Sequence, residues 1–231
     1  MKRFYKTVSV GKDKQDYVIL LDGKQIKTPA GNILRLSSKK TADLIVNEWN
    51  DIAENENINP QDMDYTNLAS TTIDKIIPNR NEIVENICSY AMNDLICYRN
   101  NETKTLQKMQ SDSWDSELEW ARKELNMPLV TTDSIMPINQ DIQVYKSANK
   151  ICDKCCDYQL TALADLVGNL GSFVLSWGVL SGKLDFDSAW EKSHIDESYQ
   201  NQVWGVDDER LKSQKIIKQN LYKTIKFYKT I

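Results

Sequence analysis

A single histidine, five prolines and eight glycines occur in 231 residues, and each scarcity excludes something. One histidine leaves one imidazole for nucleophilic catalysis and rules out a histidine-built metal centre. So few prolines and glycines exclude fibrous and low-complexity classes. Positive charge is not in excess either: the formal net charge is -4 and the pI about 5.2. The chain therefore lacks the global field that draws proteins to phosphate backbones, and nucleic acid is not an expected partner. Long apolar runs are missing as well. The longest, "LGSFVLSWGVL" from Leu170 to Leu180, is broken by glycine and serine and is too short for a bilayer core of about 30 Å, so it reads as a buried helix without stable membrane insertion. The opening "MKRFYKTVSVGKDKQDYVILL" lacks the apolar stretch of about 7 to 15 residues found in signal peptides. Five cysteines, at 88, 97, 152, 155 and 156, are an odd number and fit a reducing compartment better than a disulfide framework. Both features lead us to expect a cytoplasmic protein.

What is present is a foldable core. Hydrophobic residues make up 41% and charged residues 27% of the chain, which suits a globular protein that needs no metal or disulfide to hold it. The first 36 residues alternate with the period of strands: "FYKTVSV", "DYVILL", "KQIKT" and "NILRL". Asp22-Gly23 is a two-residue hairpin signal, since a type I′ turn needs positive φ twice. Pro29 to Asn32 supply the next reversal. From Ser38, read as a serine cap, the period becomes 3.6, with Ala42, Ile45, Trp49 and Ile52 on one face. Further helices follow. One carries Leu68, Ala69, Thr72, Ile73 and Ile76 and stops at Pro78. The next carries Ile83, Ile87, Cys88 and Ala91, and a third carries Trp114, Leu118, Ala121 and Leu125. "LVTTDSIMP" reads as a linker or a lone strand. Two or three helices then run from about Asp141 to Ser181, and a closing pair follows, the last with Leu211, Ile217, Leu221, Ile225 and Tyr228 inward and lysines outward. The fold class is α+β: a small N-terminal antiparallel β domain over 1–37, then a larger, mostly α-helical domain over 38–231.

Several chemical motifs fail on inspection. "CDKCC" holds Cys152, Cys155 and Cys156 with one C-x-x-C, but the second ligand pair of a zinc site is missing and the motif falls inside an expected helix. "GVLSGKL" is one residue short of a phosphate loop and has Leu184 where a hydroxyl must stand. "GNLGS" has no dinucleotide fingerprint and reads as small residues that let helices approach. No catalytic residue, cofactor or metal is expected. The lysines after Glu209 could attract an acidic partner or a membrane, but the simpler reading is a solvated face. Six tryptophans occur, and in four cases a carboxylate is adjacent, as in Glu48-Trp49 and Trp114-Asp115; each reads as a core anchor with its neighbour in water. The exception is "HIDESYQNQVWGVDDER", His194 to Arg210, where Tyr199 and Trp204 sit among acids and Gly205 is placed to end a helix.

The order of these words resembles a known family. "RFYKTVSV" and "VILLDGKQIKTPAGNILRL" are similar to the β opening of the assembly chaperones of the F-type ATP synthase α subunit, known from mitochondria as assembly factor 2 and also found in alphaproteobacteria. "ADLIVNEWNDI" resembles the family's first helix, with its E-W-(D/N) signature at Glu48, Trp49 and Asn50. "DLICYR" resembles its D-x-(I/L)-x-Y-R element, at Asp94, Tyr98 and Arg99. "QSDSWDSELEWA" carries Trp114 and Trp120, with Ser116 in place of the usual proline. "GSFVLSWGVLSGKL" and "DESYQNQVWGVDDE" resemble the closing motifs, while the stretch around "CDKCCDYQLT" matches poorly.

The resemblance implies a chaperone and not an enzyme: a protein, monomeric when free, that binds the new α subunit and shields its subunit interface until the β subunit displaces it. Asp196, Glu197, Tyr199, Gln200, Trp204 and Gly205 are the expected client-binding residues. Glu48, Trp49, Asp94, Tyr98, Arg99, Trp114 and Trp120 are expected to be structural. The location would be the bacterial cytoplasm, or the mitochondrial matrix in a eukaryote. Two alternatives stay open at this point: a small hydrolase using Asp196 and Glu197, and a basic-tail adaptor for membranes or RNA.

Overall fold

A computed structural model of the protein describes residues 2–101, 103–134 and 136–231. Met1, at the head of the expected β domain, Glu102, and Ile135, in the expected linker, lie outside the described residues. Strands β1 (Val8–Asp13), β2 (Asp16–Leu21), β3 (Lys24–Gln25) and β4 (Arg35–Leu36) form one antiparallel sheet. β1 pairs along the whole of β2, while β3 and β4 share the opposite edge of β2, at Leu20–Leu21 and Tyr17–Val18 respectively. The Asp22-Gly23 hairpin is where the sequence places it, with φ of 48° and 80°. The first strand begins later than the alternation suggests: Phe4 and Tyr5 precede it, and it runs on to a second tight turn at Lys14-Gln15, where Lys14 takes φ 58°.

Ten α-helices lie among the described residues: α1 (Lys39–Asn50), α2 (Asp64–Thr71), α3 (Arg80–Met92), α4 (Lys104–Glu124), α5 (Ile142–Lys154), α6 (Asp157–Leu170), α7 (Phe173–Leu180), α8 (Phe186–Ser193), α9 (Ile195–Trp204) and α10 (Asp208–Tyr228). The α+β class read from the sequence is the fold observed. The chain forms two compact units. One holds Met1–Arg80, Cys156–Ala162 and Tyr222–Ile231, and the other Asn81–Cys155 and Leu163–Leu221.

In the first unit a sheet with two strands of only two residues cannot bury enough area alone. Helix α1 supplies the cover, laying Ala42 and Ile45 against Ile19, Leu34 and Leu36, with Ala69 from α2 and Phe227 from the end of α10 completing the cluster. Ser38 stands at the N-cap of α1 but does not cap with its side chain: its hydroxyl donates to the Thr230 carbonyl at 2.5 Å, tying the chain end to the helix start. After α2 the chain widens into a π-helical turn, Thr72–Ile76, which buries Thr72 and Ile76 before Pro78.

The second unit is built round α7, whose Phe173, Val174, Leu175 and Val179 are buried. The apolar run read as one buried helix is two pieces. Leu170 ends α6, Gly171 takes φ 65°, and Ser172 caps α7 by accepting from Leu175 N at 3.0 Å. Gly171 is required for that left-handed conformation, and an added side chain at Gly168 would meet nothing within 4 Å, so helix approach does not explain this glycine pair. On α4, Trp114 and Ala121 are buried as expected, yet it is Glu117 rather than Leu118 that lies deepest beside them. Glu117 is tolerated because Lys192 reaches it at 3.2 Å. The "CDKCC" stretch is helical only in its first half: Cys152 lies in the last turn of α5, which stops at Lys154, whereas Cys155 is extended and Cys156 precedes α6. Nor does α10 bury the whole stripe expected of it. Leu211 and Ile217 are exposed, and burial begins at Leu221. Among the described residues no helix is long and apolar enough to cross a membrane.

Candidate functional site

Helix α9 and the turn after it carry the acidic and aromatic residues singled out in the sequence. The chain enters through His194, whose ring stacks on Trp190 at 3.9 Å and whose Nδ1 lies 2.9 Å from the Trp190 carbonyl. The same nitrogen lies 2.8 Å from the Ser193 hydroxyl, which also reaches the Trp190 carbonyl at 2.9 Å, so the imidazole and Ser193 close the end of α8 together. Asp196 accepts from Gln110 Nε2 at 2.7 Å, and Gln110, itself buried, accepts from Asn100 N at 2.7 Å through its other polar atom. A spacing of one residue turns Glu197 to a different face, where its carboxylate lies 3.4 Å from Arg210 of α10. The two acids thus hold separate partners, unlike a carboxylate pair sharing a proton.

The helix remains regular to Trp204, so its spacing decides what is brought together. Glu197, Gln200, Asn201 and Trp204 follow at i, i+3, i+4 and i+7 and share one face. Tyr199, half-buried, falls five residues before Trp204 and so lies off that face. Gly205 ends the helix with φ 90° and ψ 169°, a conformation essentially confined to glycine. On either side of it the chain is apolar and exposed: Trp204 is 79% accessible, Val203 53% and Val206 56%. Single exposed apolar residues are ordinary, but three around one turn, rimmed by Asp207, Asp208 and Glu209, form a patch. A cleft of about 260 Å³ opens beside the start of α9, lined by Leu95, Trp114, Gly171, His194, Asp196 and Glu197.

The other motif residues lie in the frame. Glu48 does not face water. Its carboxylate accepts from Tyr65 N at 2.7 Å, Thr66 N at 2.9 Å and Thr66 Oγ1 at 2.6 Å, and so caps the first turn of α2. Burial raises its carboxyl above the usual range against those lowering hydrogen bonds. Trp49 beside it donates from Nε1 to Thr66 Oγ1 at 2.9 Å, and Tyr5 packs edge-on against its ring while donating to its carbonyl at 2.7 Å. Asp94 is completely buried. It accepts from Ile96 N and from Val174 N at 3.0 Å, holding a short 3-10 turn, Leu95–Cys97, and the start of α7 with one carboxylate. Desolvation pushes its carboxyl up to about 6, opposed by hydrogen bonds from Ser172, Val174, Ile96 and Phe173.

Tyr98 bridges to Thr132, and Arg99 pairs with Asp115 at 2.7 Å while its guanidinium lies 5.1 Å from the Trp114 ring centre. Trp114 donates to the Lys192 carbonyl at 2.8 Å, joining α4 to α8, and Trp120 is half-buried on the same helix. Sequence reasoning missed Gln110, Lys192 and Arg210. Gln110 and Asp196 are 86 residues apart, and no local period links them. Nor is the lysine face of α10 wholly solvated: Lys218 pairs with Asp187 at 2.7 Å, Lys223 pairs with Asp64 at 2.6 Å, and Lys226 stands over the Tyr65 ring. No group of three or more histidine, cysteine or acidic residues among the described residues is arranged to hold a metal.

Comparison with known proteins gives one consistent likeness. The family described as ATP12 chaperone protein matches residues 2–122. The crystal structure of Atp12 from Paracoccus denitrificans superposes with a TM-score of 0.93 at 30% identity, over 99% of this chain and 97% of that one, and a point mutant of the same protein superposes equally well. The mitochondrial protein atp12 of Schizosaccharomyces pombe is 24% identical over 230 residues, which cover 92% of this chain and 79% of that protein.

Proposed function

The chain belongs to the ATP12 chaperone family, and we propose that, as an ATP synthase assembly chaperone, it binds the free α subunit of the catalytic sector and shields its subunit interface until the β subunit takes its place. The observation that carries this reading is the exposed turn at Trp204, with Val203 and Val206, beside the Glu197–Arg210 pair. A shielding protein needs apolar area to cover apolar area and charge to fix the register, and exposed aromatic anchors supply most of such binding energy. In this reading Trp204 anchors, Glu197 and Asp196 provide negative charge, Gln200 adds hydrogen bonding and Gly205 sets the turn. Tyr199, off the main face, contributes at the edge.

The protein acts without chemistry of its own, as a monomer when free, in the bacterial cytoplasm or its mitochondrial counterpart. The hydrolase alternative loses support from the separate engagements of Asp196 with Gln110 and of Glu197 with Arg210. The basic-tail alternative loses support from the ion pairs of Lys218 and Lys223. The reading is tested by diluting urea-unfolded α subunit into buffer and following light scattering. An equimolar amount of this protein should suppress aggregation, and scattering unchanged by a several-fold excess would refute the reading.

A further inference from the structure

Strand β1 is the outer strand of its sheet and uses only one of its edges: it pairs with β2 and with no other strand among the described residues. The register fixes which backbone groups are spare. Asp22 N donates to the Thr7 carbonyl at 3.0 Å, so Thr7 and Asp22 are a bonded pair, and in an antiparallel ladder bonded pairs recur at every second residue. Ser9, Gly11 and Asp13 therefore turn their N–H and C=O groups to β2, opposite Leu20, Val18 and Asp16. Val8, Val10 and Lys12 turn theirs outward, and none of these groups meets a hydrogen-bond partner among the described residues. No residue of the strand is fully buried, so the edge is open. We propose that β1 takes up an extended acidic segment of a partner protein, which pairs with Val8, Val10 and Lys12 as an added strand.

Charge selects the occupant. Lys6, Lys12 and Lys14 are exposed along this edge, and none of them forms an ion pair among the described residues. Two of the acids at the ends of the strand are engaged: Asp13 pairs with Arg35 at 2.7 Å, and Asp22 accepts from the backbone N–H groups of Lys6 and Thr7 at 3.0 and 2.8 Å. Lys12 holds its ammonium 3.4 Å from the Tyr17 ring centre, so its charge stays beside the strand. A local excess of cations on a chain of net charge -4 attracts carboxylates and so sets the sign of the partner. A second copy of this chain is the rival occupant. Full antiparallel overlap of two β1 edges pairs Val10 with Val10 and sets Lys6 of each copy against Lys14 of the other. Like charges directly opposite destabilise a ladder, so the lysines that admit an acidic strand repel a second copy. Val8 and Val10, half-buried against the cluster that α1 covers, share a face with Lys12. The segment that fits therefore alternates apolar residues along that face and carries acids at its ends. The inference uses no residue of α9 and does not rest on the reading of that helix.

The test follows amide hydrogen exchange of the isotopically labelled full-length protein with a capped synthetic peptide of alternating valine and threonine that has glutamate at both ends. Saturating peptide should slow exchange at Val8, Val10 and Lys12 about tenfold or more, while Ser9 and Gly11, already bonded to β2, change little. The same peptide ending in lysine should bind about tenfold more weakly, and Lys6→Glu with Lys14→Glu should reverse that preference. Val10→Pro removes one outward N–H and no bond to β2, so it should abolish binding with the sheet retained. Exchange at Val8, Val10 and Lys12 unchanged at millimolar peptide overturns the proposal. So does equal binding of the two peptides. Protection of these amides that grows with protein concentration alone also overturns it, by assigning the edge to a second copy. The peptide comparison needs no substitution, so a misfolded variant cannot confuse the result.

Discussion

The Oε1 atom of Glu197 on α9 stands 3.4 Å from a guanidinium nitrogen of Arg210 on α10, across the turn that Gly205 makes. Both side chains are partly in water, and such a pair contributes about 1 kcal/mol at most. Replacing Glu197 by Lys sets two cations face to face on the proposed client surface. The thermal midpoint should move by no more than a few degrees, while α-subunit affinity, measured by titration calorimetry, falls about tenfold or more. Equal losses of stability and binding would assign Glu197 to the fold and not to the client.

Trp204 makes the complementary case. Because 79% of it is accessible, Trp204→Ala removes little packing and should leave unfolding by urea unchanged within about 0.5 kcal/mol. As an interface anchor it should cost about 2 kcal/mol or more of binding. The same two measurements separate the roles.

Trp49 behaves oppositely. Its indole is hydrogen-bonded to Thr66 and packed on Tyr5, and Trp49→Arg would put a guanidinium into that contact and release the Thr66 hydroxyl. A loss of several kcal/mol is expected in chemical denaturation, and α binding should fall only as the folded fraction falls.

Asp94 gives a pH signature. Its folded-state carboxyl lies near 6, above the ordinary value of 3.8, so the folded chain holds this proton more firmly than the unfolded chain. That contribution, about 3 kcal/mol, is fully present below about pH 4 and is lost as pH rises through about 6. Asp94→Asn should remove this decline from the urea midpoints between pH 4 and 6. It should also lower stability overall, since an amide group would face the backbone N–H donors of Ile96 and Val174. A variant whose pH profile matches the parent would contradict the assignment.

The C-terminal end is structural. Phe227 lies in one core cluster with Ile19, Leu36 and Ile45, so deleting residues 211–231 should unfold the first unit and not merely remove a basic face. Circular dichroism of the deletion checks this. Lys212→Glu with Lys215→Glu is the milder change, and lipid or RNA binding that vanishes with it would revive the adaptor reading.

What was legible in the sequence was local. The Asp22-Gly23 turn, the inward Ala42 and Ile45 of α1 and the stop at Gly205 each follow from a short-range preference and are where the residues place them, although α1 ends at Asn50 and leaves Ile52 outside the helix. Less legible were contacts whose partners lie far along the chain. Ser38 reads as a cap because serine caps helices, yet Thr230 captures its hydroxyl. Glu48 reads as solvent-facing because charged residues are usually exposed, yet three donors at the start of α2 draw it inward. The period of α10 promises a full apolar stripe, but whether a stripe is covered depends on what packs there, and Leu211 and Ile217 are left in water. In the candidate site the residue types and the helix end could be read, while Gln110 and Arg210, which orient the two acids, could not.

The central claim is that this chain holds the α subunit until the β subunit arrives. Co-expression with the α subunit in the absence of β, followed by size-exclusion chromatography and then addition of β, tests it most directly. The account predicts a soluble complex of about one to one that gives up its α subunit when β is added. An aggregated α subunit with this protein eluting alone would contradict it.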